Sequence, residues 1–197
     1  MALSTLRRRI IIMIKTYKYN DNSQLTEHFN VKEFRCKCGG THDTLIDTEL
    51  VEKLEKLHKT LKCSKIIINS GYRCKSHDIA VGGSGYGQHT KGTAADIMGY
   101  GQDGKPINSK IVSCAAQDLD FSGIANIDKY YTSTHVDVAD RQWYGDETVT
   151  TAYSICKDFY AYFALARADV YGEDAKKQLK VTIEVDDHTY SGLLTEN

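Results

Sequence analysis

The sequence has few of the features that mark linkers, membrane proteins and nucleic-acid-binding proteins. Only one of its 197 residues is proline, so no proline-rich linker divides it. Its longest apolar run, residues 10–14, falls far short of the roughly 20 residues that a transmembrane helix needs. The 25 basic and 26 acidic residues are mixed along the chain, which leaves no basic patch for nucleic acid. We therefore expect a globular chain with no membrane span and no nucleic-acid partner.

The N-terminal segment imitates a secretion signal without completing one. Arg7, Arg8 and Arg9 precede an apolar stretch that is shorter than the roughly 7–15 residues of a signal core and ends at Lys15. No small-residue cleavage site follows this stretch. We therefore do not expect a clear signal peptide, and a second interpretation makes residues 1–12 an upstream extension.

The six cysteines allow several interpretations, because a chain of 197 residues does not need disulfides for stability. Cys36 and Cys38 are too close to bridge each other easily, and His42 follows them. The simplest interpretation is reduced cysteines in a loop and in the core. A disulfide such as Cys38–Cys74 and a second metal at Cys36 and Cys38 stay open, although one C-x-C motif is a weak metal signal.

Hydrophobic periodicity predicts an α+β unit. Apolar residues at spacings of three and four predict a helix over residues 47–61, and another helix is expected after Asn108. Five glycines between residues 82 and 92 predict a loop. Short strands are predicted at residues 66–68, 93–100, 123–127 and 135–138.

The two ends of the chain differ in character from this unit. Residues 1–23 are expected to form an N-terminal extension and a first strand, and residues 24–147 the main domain. Residues 148–197 combine helical spacing with a later alternation of apolar and polar residues. A C-terminal helix and a hairpin that turns at Asp186 and Asp187 are therefore predicted as an appendage.

The stretch "GYGQHTKGTAADI" has the composition of a metal site. Gly92 opposes a continuous helix, so a turn feeding a strand can bring His89 and Asp96 together. The segment "STHVDV" can supply a third ligand, His135, and Asp137 would face the same side of its strand. Imidazole and carboxylate groups are both good zinc ligands. Considered alone, each residue also fits an ordinary role, such as an exposed loop histidine, a hydrogen-bonding aspartate or a core histidine.

The chain from "SGYRCKSHDIAVGGSGYGQHTKGTAADI" to "HVDV" resembles the zinc-dependent peptidoglycan peptidases. That family includes D-Ala-D-Ala carboxypeptidases and the L-alanyl-D-glutamate endopeptidases of phage endolysins. The resemblance extends over residues 26–146, and its joint pattern of S-G-Y-R, H-x6-D and H-V-D is highly specific. It implies that residues 24–147 are a zinc peptidase domain. The implied fold is a small antiparallel sheet with flanking helices, like that of the hedgehog signalling domain.

The resemblance also implies a role for each residue of the motif. His89, Asp96 and His135 would hold Zn²⁺. Arg73, with Tyr72 and Gly87 beside it in the substrate site, would bind a substrate carboxylate or stabilise the scissile carbonyl. The alternative for Arg73 is a structural salt bridge.

The chain departs from the family pattern at two positions. Gly87 stands where many relatives have serine, two residues before the first zinc histidine. Thr132 stands where many have the carboxylate base, three residues before the second histidine. Asp137 is therefore our candidate for the base or for a residue that orients His135, and Asp128 is a weaker candidate.

These residues favour a zinc metallopeptidase that hydrolyses a D-amino-acid-containing bond in peptidoglycan stem peptides or cross-links. The alternative is a zinc-containing binding module on the same fold that does not cleave, for which Thr132 is the best support. A wall hydrolase without a clear signal peptide is expected to be made in the cytoplasm of a bacterial host and released by phage or prophage lysis.

Overall fold

A computed structural model describes residues 14–150, 153–172, 179–185 and 188–194. The helices are α1 (Thr48–Thr60), α2 (Lys75–Ala80), α3 (Gln88–Lys91), α4 (Ser109–Asp118), α5 (Phe159–Phe163) and α6 (Arg167–Tyr171), and a 3-10 turn covers Val31–Phe34. The strands are β1 (Ile14–Tyr17), β2 (Thr44–Asp47), β3 (Lys65–Ser70), β4 (Ala94–Tyr100), β5 (Gly123–Asn126), β6 (Thr134–Asp137), β7 (Trp143–Asp146), β8 (Leu179–Val185) and β9 (His188–Leu194).

The central sheet has the strand order β3-β4-β6-β5-β7. Its neighbouring strands are antiparallel, except that the edge strand β7 pairs in parallel with β5. Two further pairs, β1-β2 and β8-β9, are antiparallel as well. The predicted α+β class, with a small and mainly antiparallel sheet flanked by helices, is confirmed. None of the helices in the described ranges is long and apolar enough to cross a membrane.

The two predicted core helices form because their sequences combine an N-cap with an apolar face. The Asp47 side chain accepts a hydrogen bond from the Glu49 amide at 2.8 Å and begins α1, and the Asn108 side chain accepts from the Lys110 amide at 3.0 Å and begins α4. The apolar residues of α1 that the periodicity identified, Leu50, Val51, Leu54 and Leu57, are buried. Helix α1 therefore has the predicted position, with caps at residues 47 and 61.

The structure differs from the predicted pattern where the elements are short. The glycine-rich segment, predicted as a loop, contains the single helical turn of α3, and α2 precedes that segment. These helices have six residues or fewer, too few for an apolar period to repeat. Strands β2 and β7 have four residues each and also escaped the sequence pattern.

The C-terminal region contains two short helices where one was predicted. Ala164, with φ of +52°, ends α5 and separates it from α6. The described part of the tail packs on α4, because Phe159 is fully buried and the Asp118 carboxylate accepts hydrogen bonds from Tyr160 and Tyr171 at 2.6 Å. Strands β8 and β9 form the predicted hairpin, and its predicted turn at residues 186–187 lies outside the described residues.

Candidate metal centre

A glycine with a left-handed backbone joins the helical turn that carries His89 to the strand that carries Asp96. Gly92 ends α3 with φ of +76°, and its amide donates to the His89 carbonyl at 3.2 Å. A side chain at this position would collide with the Leu45 backbone carbonyl. The Gly92 carbonyl in turn accepts from the Asp47 amide at 2.9 Å. Only glycine therefore permits both the turn and its close packing against β2.

The register of the central sheet brings the other two residues together. Asp96 on β4 lies directly opposite His135 on β6 in the antiparallel pairing. Side chains of directly opposed residues point to the same face of a sheet, so the two groups share one surface. One residue of slip in either strand would move its side chain to the other face.

His89, Asp96 and His135 place three donor atoms at the corners of a small triangle. Asp96 Oδ1 lies 3.2 Å from His89 Nε2 and 3.0 Å from His135 Nδ1. The edge of a tetrahedron around zinc with nitrogen and oxygen ligands at about 2.0–2.1 Å is about 3.3 Å. These three side chains therefore fit one zinc ion, with the fourth position left to water or substrate.

Each histidine has a partner on the ring nitrogen that faces away from the triangle. His89 Nδ1 lies 2.8 Å from the Gly71 carbonyl oxygen and donates to it. His135 Nε2 lies 3.2 Å from Asp137 Oδ2. Such contacts fix the ring orientation, so the other nitrogen can offer its lone pair to a metal in the triangle once it carries no proton.

The electrostatics of the triangle favour charged groups at Asp96 and His135. Burial raises the pKa of Asp96, but hydrogen bonds from His135 and His89 outweigh burial and hold it far below its usual range. Burial lowers the pKa of His135, but hydrogen bonds to Asp137 and Asp96 outweigh this effect and raise it to about 9. The metal-free site is therefore an ion-pair network, and a zinc ion has to displace a proton from His135 to bind.

Asp137 lies underneath His135 and is fully buried. Its carboxylate accepts from the Ala139 amide at 3.0 Å and from Arg141 Nη2 at 2.8 Å, as well as contacting His135. A side chain at Gly123 on the neighbouring strand would collide with this carboxylate. Of the two roles predicted for Asp137, these contacts favour the orientation of His135.

The Arg73 guanidinium is anchored on three sides. Nε donates to Ser70 Oγ at 2.7 Å, Nη2 to Asp96 Oδ2 at 2.5 Å and Nη1 to Asp78 Oδ1 at 3.4 Å. The structural salt bridge considered from the sequence is therefore present. These three bonds use three of the five N–H groups of the guanidinium, which also lines the cavity described below.

A cavity of about 710 Å³ opens beside the triangle and has a size typical of ligand sites. Its lining includes all three residues of the triangle, together with Arg73 and Gly87. Of the predicted substrate-binding residues, Tyr72 is not among the described residues that line it. Tyr72 instead lies near Cys74, Cys36 and Cys38. Burial raises its pKa, and the charges of these three cysteines raise it as well.

The lining residues that were not singled out from the sequence include Arg141, Trp143 and Glu147. The Trp143 ring lies edge-on to His135, with ring centroids 6.0 Å apart. Glu147 is an exposed residue that also lines the cavity. Its pKa is raised, because desolvation and the charge of Asp96 outweigh the lowering effects of His135 and Arg73. All three lie on or directly beside β7, which pairs with β5. Their closeness to this strand is the one feature that could have indicated them.

Thr132 and Asp128 belong to a turn between β5 and β6. The Asp128 carboxylate accepts from the amides of Tyr130 at 2.7 Å and Thr132 at 2.9 Å, and the Thr132 hydroxyl lies 3.2 Å from it. Burial raises the pKa of Asp128, but these hydrogen bonds and one from the Ser133 amide outweigh burial, so the pKa is lowered overall. These contacts favour a turn-forming role for Asp128 over that of a base.

Comparison with known families identifies the chain. The family described as Peptidase M15 matches residues 27–137, more than half of the sequence, and the chain belongs to this family. The match confirms the predicted family, whose members hydrolyse peptide bonds. M15 peptidases are generally zinc-dependent. No curated protein matches the chain. Membership of the endolysin-like branch stays a prediction.

We expect Gly92→Ala to damage the fold and the triangle together. The left-handed conformation costs an alanine about 1–2 kcal/mol, and relief of the collision with Leu45 costs roughly another 1–3 kcal/mol. The free energy of unfolding from denaturant titration measures the sum, and zinc affinity measures the displacement of His89 and Asp96.

Gly104→Ala is the matched control for this substitution. Gly104 has φ of +75°, almost the same as Gly92, but no atom lies within 4 Å of an added side chain. We expect this variant to lose only the conformational part and to bind zinc normally. Equal losses in the two variants would contradict the importance of the close approach between Gly92 and Leu45.

Proposed function

We propose that this chain is a zinc metallopeptidase that hydrolyses a D-amino-acid-containing bond in peptidoglycan stem peptides or cross-links. The observation that carries the proposal is the triangle of donor atoms on His89, Asp96 and His135, at the wall of a cavity of substrate size. In this proposal the protein acts on the bacterial cell wall and reaches it by host lysis.

The proposed metal ligands are His89 through Nε2, Asp96 through its carboxylate and His135 through Nδ1. A zinc ion bound there supplies a Lewis acid for the peptide carbonyl and lowers the pKa of water. Asp137 and the Gly71 carbonyl hold the two imidazoles in the required tautomers. Asp137 is thus a positioning residue in this account.

Glu147 is our proposed proton acceptor, in place of a base at Asp137 or Asp128. A base must reach the attacking water within hydrogen-bond distance, and only Glu147 among these three carboxylates lines the cavity. Its carboxylate is solvent-accessible, whereas that of Asp137 is buried under His135. A raised pKa also suits a general base, because it increases the basicity of the carboxylate near neutral pH.

Two guanidinium groups in the cavity lining suit a substrate with carboxylates. Arg73 and Arg141 both line it, and a guanidinium can bind a carboxylate through two parallel hydrogen bonds. Peptidoglycan stem peptides carry carboxylates on D-glutamate and on terminal D-alanine. Gly87, which takes the place of a larger residue in many relatives, leaves the space beside His89 open.

Purified protein loaded with zinc is expected to release new amino or carboxyl termini from peptidoglycan. The chelated protein should release none, and added zinc should restore the activity, because the proposed triangle provides the Lewis acid only with metal. Mass spectrometry of products from defined muropeptides measures the reaction and identifies the bond.

Two outcomes would contradict the peptidase proposal in different ways. If the protein holds zinc and binds wall fragments without turnover, the non-catalytic binding module is correct. If it holds no zinc at the triangle and releases nothing, both the metal assignment and the activity are wrong.

We expect Glu147→Gln to lower kcat by about 10²–10⁴-fold, the range typical for loss of a general base, with zinc content unchanged. In the wild type, activity should fall as the pH falls through the raised pKa of Glu147, because the protonated carboxyl cannot accept a proton. Glu52→Gln on the exposed face of α1 is a matched control and should leave kcat unchanged.

Asp137→Asn separates the two carboxylates in the same assay. Loss of a residue that orients a metal-bound histidine typically weakens metal binding by about 10–100-fold. Excess zinc should therefore recover much of the activity of Asp137→Asn and none of that of Glu147→Gln. The reverse result would make Asp137 the base.

A further inference from the structure

We propose that Cys36, Cys38, His42 and Cys74 bind a second zinc ion, in a closed structural site apart from the triangle. The four side chains offer three sulfurs and one imidazole nitrogen, and these atoms all lie within 4.8 Å of one another. Four protein ligands of the Cys₃His type fill the tetrahedral coordination of zinc, which is the pattern of structural sites.

The distance between sulfurs matches a shared metal better than a disulfide. Cys38 Sγ and Cys74 Sγ lie 3.9 Å apart. Two sulfurs at about 2.3 Å from one zinc ion are about 3.8 Å apart in a tetrahedron, whereas a disulfide bond is about 2.05 Å long. Neither Cys38 nor Cys74 is bonded to another cysteine in the structure.

Backbone amides already face two of the sulfurs in the cluster. The Gly40 amide donates to Cys38 Sγ at 3.3 Å, and the Cys74 amide donates to Cys36 Sγ at 3.3 Å. Partners of this kind stabilise the negative charge on metal-bound sulfur and orient the ligands. His42 Nε2 lies 2.7 Å from Cys38 Sγ, so the imidazole also points into the cluster.

Two of the remaining cysteines lie in the core and not in the cluster. Cys63 and Cys114 are both buried in the hydrophobic core. Core thiols of this kind act as small apolar side chains. Cys38, by contrast, is exposed, and no apolar packing explains why it faces Cys74 across 36 positions of sequence.

A metal ion at this place would join two separate connections of the chain. Cys36, Cys38 and His42 lie between the 3-10 turn and β2, and Cys74 is the N-cap of α2. Cys74 directly follows Arg73, so the ion would also fix the backbone that carries the guanidinium of the cavity. The proposed ion is therefore structural, and it does not depend on the peptidase activity.

The metal content of the full-length protein, purified with reductant and zinc, tests this proposal. We expect two zinc ions per chain in the wild type and one in Cys38→Ser and in Cys74→Ser. Asp96→Asn should lose the other ion. Cys156→Ser, a serine substitution at a half-buried cysteine outside the cluster, is the matched control and should retain both.

Cobalt substitution distinguishes the two sites by their absorption spectra, and its decisive measurement is made on the wild-type protein. Thiolate ligands give cobalt(II) a near-ultraviolet charge-transfer band, which the triangle of nitrogen and oxygen donors cannot produce. The wild type and Asp96→Asn should show the band, and Cys38→Ser and Cys74→Ser should lack it or show it weakened. Absence of the band in the reduced wild type would overturn the proposal, as would zinc content unaffected by either cysteine substitution. Failure of the peptidase activity alone would not affect either readout.

Discussion

The site depends on the contacts of the Asp96 carboxylate with its neighbours. One of its oxygens contacts both histidines of the triangle and the other contacts Arg73. It lies on β4, an interior strand of the sheet, with β3 on one side and β6 on the other. A buried carboxylate is stable only with such partners, since an unpaired charge in the interior is very costly. The sheet therefore keeps Asp96 charged by surrounding it with two imidazoles and a guanidinium.

The order of strands explains why residues far apart in sequence meet at this carboxylate. Strand β6 pairs with β4 and places His135 opposite Asp96, although 39 positions separate them. Strand β5 pairs with the other edge of β6 and places Gly123 opposite Asp137. The missing side chain of Gly123 leaves room for the Asp137 carboxylate. Three neighbouring strands, β4, β6 and β5, thus supply Asp96, His135 and the space for Asp137 in turn.

Two different kinds of donor set lie on either side of residues 70–74. Arg73 faces the nitrogen and oxygen donors of the triangle, and Cys74 faces three sulfur and imidazole groups. Three ligands beside a cavity leave a position for substrate, whereas four ligands complete the coordination of an ion. The same short connection between β3 and α2 therefore serves a proposed reactive metal and a proposed structural one.

The sequence was most informative where periodicity or a spaced motif had enough residues to be distinctive. Helix α1 and the juxtaposition of His89, Asp96 and His135 were predictable, the first from its apolar face and the second from the resemblance. The helical turn at His89 and the strand that leads to Glu147 were not, because four residues cannot display a period. Trp143 and Glu147 reach the cavity through the parallel pairing of β7 with β5, and no local pattern indicates such a pairing.

The central claim is that one zinc ion binds between His89, Asp96 and His135. Anomalous diffraction at the zinc absorption edge, from crystals grown with zinc, tests this claim most directly. We expect an anomalous peak within bonding distance of His89 Nε2, His135 Nδ1 and a carboxylate oxygen of Asp96. A zinc-saturated crystal without a peak at that position would contradict it.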